Sequence, residues 1–303
     1  MNRREGRTLL FLVLLHTLGC AHSLPRPENF GEWQELFRAC RAGDQRACYW
    51  RGISDVSEGR IEEGVKRIET ACDAGVGIAC NIQGFIYSEG RYQRKIDAPR
   101  ARALWARSCS LGSKDGCDSW GTGLRDAVGG PADLPGAAAA YELACKRDDG
   151  AGCTNLAKAL LHGEGVGKDA TRAALLLRTI CARETDSQDS CRVLGAALVH
   201  GDGLTADVPE GLTLLRRACN IGGAEDCQEA GELMVGFGSQ SEGLRYLRTS
   251  CTWGRVAGCR ALGLRLLEGP DEEGAHDEAR DVLRSACSGG DKPSCSRIET
   301  LTK

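Results

Sequence analysis

Apolar residues recur along this chain at helical spacing, anchored each time on a cysteine. Cys40, Cys72, Cys109, Cys145, Cys181, Cys219, Cys251 and Cys287 serve as reference points. The residue four positions ahead of each is apolar: Leu36, Ile68, Trp105, Tyr141, Leu177, Leu215, Leu247 and Leu283. Eight positions ahead stands Gly or Ala in seven of the eight: Gly64, Ala101, Ala137, Ala173, Gly211, Gly243 and Ala279. Steps of four and eight place these side chains on one helical face with the cysteine. Each reference cysteine thus predicts a helix that ends near it and buries that face.

The positions after each reference cysteine predict a turn and a second helix. Gly follows three residues later in six cases, at Gly43, Gly75, Gly112, Gly222, Gly254 and Gly290. Gly reaches the left-handed conformation at little cost and so stops a helix. Asp148 and Glu184 stand in its place in two units, which predicts differently built turns there. A second cysteine comes eight residues after the first, or ten in the case of Cys191 after Cys181. Four residues beyond that cysteine sit Gly52, Gly84, Gly121, Ala157, Gly195, Gly231 and Gly263, with Glu299 in the last unit. Gly within a helix costs about 0.5–1 kcal/mol relative to Ala. Its recurrence predicts close approach by a neighbouring helix, and Glu299, with no unit after it, reads as a polar cap.

Successive reference cysteines stand 32 to 38 residues apart. A near-constant period with variable connections is the signature of stacked repeats. The expected fold class is therefore all-α, a solenoid of about sixteen short helices in antiparallel pairs. The 303 residues would accommodate two ordinary domains, but an array lengthens by adding units. The expected organisation is an N-terminal signal over 1–20, a Pro-containing tether over 21–31, and the repeat array over 32–303.

This grammar resembles the Sel1-like repeat family, whose motif runs A-x-x-L-G, then G-x-G-V-x-x-D, then an apolar-periodic helix. The stretch CTNLAKALLHGEGVGKD, residues 153–169, fits it best. The paired cysteines make the chain similar to the cysteine-rich secreted subgroup of that family. The resemblance covers residues 32–303 and implies a right-handed solenoid. It also implies that the cysteines pair within each unit, as Cys40–Cys48, Cys72–Cys80, Cys109–Cys117, Cys145–Cys153, Cys181–Cys191, Cys219–Cys227, Cys251–Cys259 and Cys287–Cys295. Zinc sites use shorter C-x2-4-C gaps or nearby histidines, and a redox site would want C-x-x-C. Neither occurs here, and no metal or cofactor is expected.

One of the 17 cysteines, Cys20, has no partner in this scheme. It closes a segment with Arg3, Arg4 and Arg7 followed by the apolar run LLFLVLL at residues 9–15. That run is short for a membrane span and has the flanks of an export signal. Thr17-Leu18-Gly19-Cys20 resembles a bacterial lipobox, which would make Cys20 a lipidated N-terminus. Ordinary signal cleavage after Ala21 is the alternative. Both place the chain outside the cytoplasm, where paired cysteines persist as disulfides. The apolar rather than amphipathic run argues against import into the mitochondrial intermembrane space.

A formal charge of −3 gives no basic surface of the kind nucleic acid requires. Cysteine-rich members of the resembled family are associated with penicillin binding and β-lactam hydrolysis. The serine β-lactamase signatures S-x-x-K, S-D-N and K-T-G are absent from this sequence, as are H-E-x-x-H and G-x-S-x-G. No catalytic residue is assigned. His162 and His200 occupy equivalent places in their units, where other units carry Glu89, Asp126 and Glu268. The five form a candidate ligand-facing stripe, or simply decorate helix ends beside a Gly stop. Trp50, Trp105, Trp120 and Trp253 are expected to pack between helices. The expectation for function is a monomeric, non-catalytic scaffold of the bacterial envelope, or a secreted one, binding a protein or peptide. It would touch membrane only through a lipid at Cys20. The alternative is binding or hydrolysis of β-lactam or peptidoglycan-derived ligands.

Overall fold

A computed structural model describes residues 30–183, 188–269 and 274–301. The signal, most of the tether, Cys20 and Glu184 lie outside the described residues. Sixteen α-helices and one short 3-10 turn, Arg91–Gln93, make up the secondary structure of the described residues, with no strand among them. In order the helices are α1 (Phe30–Arg41), α2 (Gln45–Ser57), α3 (Ile61–Asp73), α4 (Gly77–Glu89), α5 (Ala98–Ser110), α6 (Lys114–Arg125), α7 (Leu134–Lys146) and α8 (Gly150–His162). They continue with α9 (Ala170–Cys181), α10 (Gln188–His200), α11 (Val208–Ile221), α12 (Ala224–Gly236), α13 (Gln240–Thr252), α14 (Val256–Glu268), α15 (Ala275–Ser288) and α16 (Lys292–Leu301). Two compact units divide the chain. The described residues up to Ala159, with Gly163–Gly167, form the first, and Leu160–His162 with those from Lys168 onward form the second.

Every odd-numbered helix is joined to the next by a disulfide, and by a tight turn wherever the connection is described. The eight bonds join the first and second cysteine of each unit, with Cα atoms 4.4–4.8 Å apart. Ten of the sixteen cysteines are buried, and the Cys40–Cys48 and Cys287–Cys295 pairs of the first and last hairpins are half-buried. Cys109 and Cys117 pack against Ala144 of the following hairpin, and Cys181 and Cys191 against Ala218. A hairpin this small has almost no interior of its own, so its staple and its neighbours supply one.

The turns follow a common hydrogen-bonding scheme. The Gly75 N–H donates to the Cys72 carbonyl at 2.9 Å, and the next amide, Val76, reaches back to Ala71. Gly75 stands at φ +91°, where only Gly fits without strain. The expectation for Asp148 is corrected: it takes φ +62°, donates to Cys145 at 3.0 Å, and builds the same turn. Asp tolerates the left-handed region better than most residues, which is why the substitution is silent. The reading of Gly222 is corrected in the other direction. Helix α11 runs on to Ile221, so Gly222 becomes its cap in an extended conformation at φ −98°, and the Asp226 carboxylate accepts from the Gly223 N–H.

The small residues beyond the second cysteine do mark close helix approach, and in two forms. Where the facing helix offers Gly, the two backbones meet. A Cβ on Gly52 would lie 2.8 Å from the Gly64 carbonyl oxygen, and the same geometry holds for Gly195 with Gly211 and for Gly231 with Gly243. Where the facing helix offers Ala, the closest atoms to the Gly belong to a large side chain. Trp105 lies on Gly84, Tyr141 on Gly121 and Leu283 on Gly263. Each of these large side chains is one of the apolar residues four ahead of a reference cysteine.

Aspartates fix the longer connections. Asp97, Asp133, Asp169 and Asp207 each cap the helix they precede through the side chain. Their own backbone N–H groups donate to carbonyls of the preceding helix, Asp97 to Tyr87 and Asp207 to Leu198 at 2.9–3.0 Å. One residue thus both starts a helix and ties it to its predecessor. Trp50 and Trp105 are buried and Trp120 is half-buried against the core. Trp253 is not: it is 54% exposed, because it occupies the turn after α13 rather than a helix face.

Candidate functional site

The five stripe residues all fall at the C-terminal ends of even-numbered helices. Glu89, His162, His200 and Glu268 are the last residues of α4, α8, α10 and α14, and Asp126 is the cap of α6. All five are exposed. The carboxylates have local partners. Glu89 pairs with Arg91, Asp126 with Arg125 at 2.7 Å, and Glu268 with Arg265 at 2.9 Å. The His200 ring stands edge-on to Phe237 with centroids 5.9 Å apart. Left-handed glycines follow Glu89, His162 and His200, at Gly90, Gly163 and Gly201. The repeat thus places these residues equivalently while each acidic member pairs with an Arg no more than three residues away.

Between hairpins, the polar organisation consists of ion pairs that the sequence reading missed. In the second unit, Arg178 of α9 holds Glu210 of α11, Arg216 of α11 holds Glu242 of α13, and Arg248 of α13 holds Glu278 of α15. Each pair is bidentate. The Arg216 and Arg248 guanidiniums hold the Glu242 and Glu278 carboxyls below the ordinary carboxylate range. A signal was available: each Arg stands three residues ahead of its reference cysteine and each Glu nine ahead of the next.

Two carboxylates of the first unit stand apart, Asp55 fully buried and Asp118 half-buried. Asp55 of α2 has a side chain 0% exposed and lies within ion-pair reach of Arg51, Arg60 and Arg67. It joins α2 to α3 across their connection. Asp118 of α6 accepts from the Asn155 amide of α8 at 2.8 Å. Burial pushes its carboxyl up to about 6, against the Asn155 hydrogen bond, which favours the charged form, and with help from Asp149 and Asp115.

Two shallow clefts open among the described residues, one in each unit. That of the first unit, about 350 Å³, opens at the disulfide-turn edge between the α3–α4 and α5–α6 turns and includes Arg46, Lys114 and Arg147. That of the second, about 410 Å³, lies between α13 and α14 and includes Arg248 and Arg265, both already paired. Among the described residues no group of three or more His, Cys, Asp or Glu side chains is placed to hold a metal ion. No helix of the described residues is long and apolar enough to cross a membrane.

Short antiparallel helix pairs, repeated about every 36 residues and lacking strands among the described residues, define a helical-repeat protein. Three segments, residues 78–113, 150–183 and 188–223, match the Sel1 repeat model, so the chain carries Sel1 repeats in those segments. Among solved structures it is similar to a protective antigen present in uropathogenic Escherichia coli strains that displays an SLR fold. That likeness has 18% identity and a TM-score of 0.62, over 97% of this chain and 64% of the antigen. The chain thus spans less than two thirds of the antigen's length. It is also similar to a Sel1 repeat protein from Oxalobacter formigenes, at 16% identity and a TM-score of 0.65, over 79% of this chain and 96% of that one. At such identities these likenesses speak to the fold alone. No curated protein matches the chain in sequence.

Proposed function

We propose that the chain is an exported, monomeric, non-catalytic scaffold of the bacterial envelope that binds a protein or peptide partner, with Cys20 as a lipid anchor. The observation that carries this reading is the set of eight hairpin-closing disulfides on a Sel1 repeat frame. Disulfides in this number need an oxidising extracellular or periplasmic compartment. Repeat frames of helix pairs expose long faces suited to protein surfaces. The domain division is part of the proposal, with a signal over 1–20, a tether over 21–31 and the repeats beyond. Helix α1 includes residues 30 and 31, so the first repeat helix would overlap the end of that tether.

Affinity capture from envelope extract tests the reading, using oxidised protein and the same protein after reduction. A defined protein recovered with the oxidised form and lost on reduction is expected. Capture of nothing in either state would contradict it. So would nitrocefin turnover that a single point substitution abolishes in the folded protein. Labelled palmitate should enter the wild type and not Cys20→Ser, and an unlabelled wild type contradicts the anchor.

A further inference from the structure

We infer that the cleft at the disulfide-turn edge of the first unit is where an acidic segment of the partner docks; the inference rests on the protein-binding reading above. Three chain segments and one helix end build the cleft. Arg46 comes from α2, residues 74–78 from the α3–α4 turn, residues 111–114 from the α5–α6 turn, and Arg147 from the end of α7. All lie in one compact unit. The lining has three cationic side chains and no carboxylate.

The cations of this cleft are gathered in one place and held without carboxylates. Lys114 Nζ donates to the Asp148 carbonyl oxygen at 3.1 Å. Arg147 Nη1 donates to the Cys109 carbonyl oxygen at 2.9 Å and lies 2.7 Å from the Cys117 sulfur. Both are fixed in place by neutral acceptors, so their positions are set while their charges stay uncompensated. Arg46 is exposed and enters no ion pair among the described residues. At the hairpin seams of the second unit the pattern is the opposite, with Arg178, Arg216 and Arg248 each met by a Glu of the next hairpin. Pre-placed cations without counter-charges favour an incoming carboxylate, since the cost of immobilising them is already met by the fold.

The cleft wall adds an apolar component. Leu111 is 42% exposed beside Val76 and Ile78. An acidic residue next to an apolar one therefore fits better than a bare anion. The turn at its base is also open: α2 and α8 are capped by the Asp44 and Asp149 side chains, whereas Val76 gives α4 no side-chain cap.

The test is fluorescence anisotropy with two labelled octapeptides, alternating Leu-Glu and alternating Leu-Gln, against the oxidised full chain. The acidic peptide should bind at least tenfold more tightly than its Gln counterpart, with affinity falling as salt rises. Arg46→Glu and Lys114→Glu should each weaken it tenfold or more. Unchanged melting curves would show that both variants fold, as expected for side chains that make no carboxylate contact. Equal affinity for the two peptides, or wild-type affinity in both variants, overturns the inference. Binding to phosphatidylglycerol vesicles that Arg46→Glu abolishes, with no peptide binding, overturns it in favour of a lipid surface. A partner captured equally by wild type and Arg46→Glu overturns the cleft while leaving the scaffold reading intact. Capture of no partner by either contradicts the scaffold reading itself.

Discussion

Substituting Gly231 by Ala sets two opposed effects against each other at one atom. Ala is the better helix former by about 0.5–1 kcal/mol, so on propensity alone the variant would be more stable. The added Cβ, however, would lie 2.8 Å from the Gly243 carbonyl oxygen, 2.8 Å from Leu247 Cγ and 3.0 Å from the Leu247 backbone nitrogen. Two of these three atoms are backbone of α13 and cannot swing away, so α12 and α13 must separate. Overpacking of this kind costs about 1–3 kcal/mol. The net expectation is a loss of about 1 kcal/mol, or a few degrees in melting midpoint for a unit of this size. Gly236, at the end of the same helix, provides the control, because nothing lies within 4 Å of a Cβ built there. Gly236→Ala should be neutral or slightly stabilising. Thermal denaturation followed by circular dichroism, under non-reducing conditions, reads both. Hydrogen exchange should show the Gly231→Ala loss concentrated in α12 and α13. If Gly231→Ala matches or exceeds wild-type stability, the helices do not cross at glycine contact, and the reason given for the recurrent Gly fails.

Other consequences can be measured on the same preparation. Replacing Cys72 and Cys80 together by Ser removes a loop of about nine residues from the closed set and should cost about 2.5 kcal/mol in denaturant titration; no change would mean the bond adds nothing to the hairpin. Asp55→Asn should lose about 2 kcal/mol or more, because three arginines lose the buried carboxylate they share and only Arg60 and Arg67 keep a second carboxylate partner, Glu58 and Glu63; urea midpoints equal to wild type would contradict this. Asp118 holds its proton to about pH 6 in the folded protein and to about 3.8 when unfolded. The folded state therefore binds more protons between these values, so stability from this group is present below the lower value and is lost as pH rises through the upper one. Asp118→Asn should flatten that slope between pH 4 and 6.5, and an unchanged profile would refute the assignment. A double-mutant cycle on Arg216 and Glu242 should return less than about 1 kcal/mol, as for other surface ion pairs.

Much of the fold was legible because each repeat restates the same constraints. Ile68, Trp105, Tyr141, Leu177, Leu215, Leu247 and Leu283 are buried, and Leu36 of the first hairpin is half-buried against the core. A fixed offset from a cysteine carries more information than a hydrophobic period alone. Legibility failed where a residue's role depends on what stands opposite it. Asp148 makes the glycine turn because its backbone conformation, not its residue type, is what the hydrogen bonds require. Trp253 looked like a packing residue by type, but its place in the register is the turn. The Arg–Glu pairs went unread because each joins two repeats and no single repeat displays it. The stripe residues were located by equivalence, yet equivalence says where a side chain lies and not whether its charge is free; Asp126 and Glu268 are paired on their own helix ends.

Non-reducing peptide mapping of the protein isolated from its native cells bears most directly on the idea of an exported scaffold of stapled hairpins. The structure predicts eight crosslinks, each between the first and second cysteine of one hairpin, with those sixteen sulfurs fully oxidised. Free thiols among the sixteen, or crosslinks between different hairpins, would contradict both the architecture and the compartment.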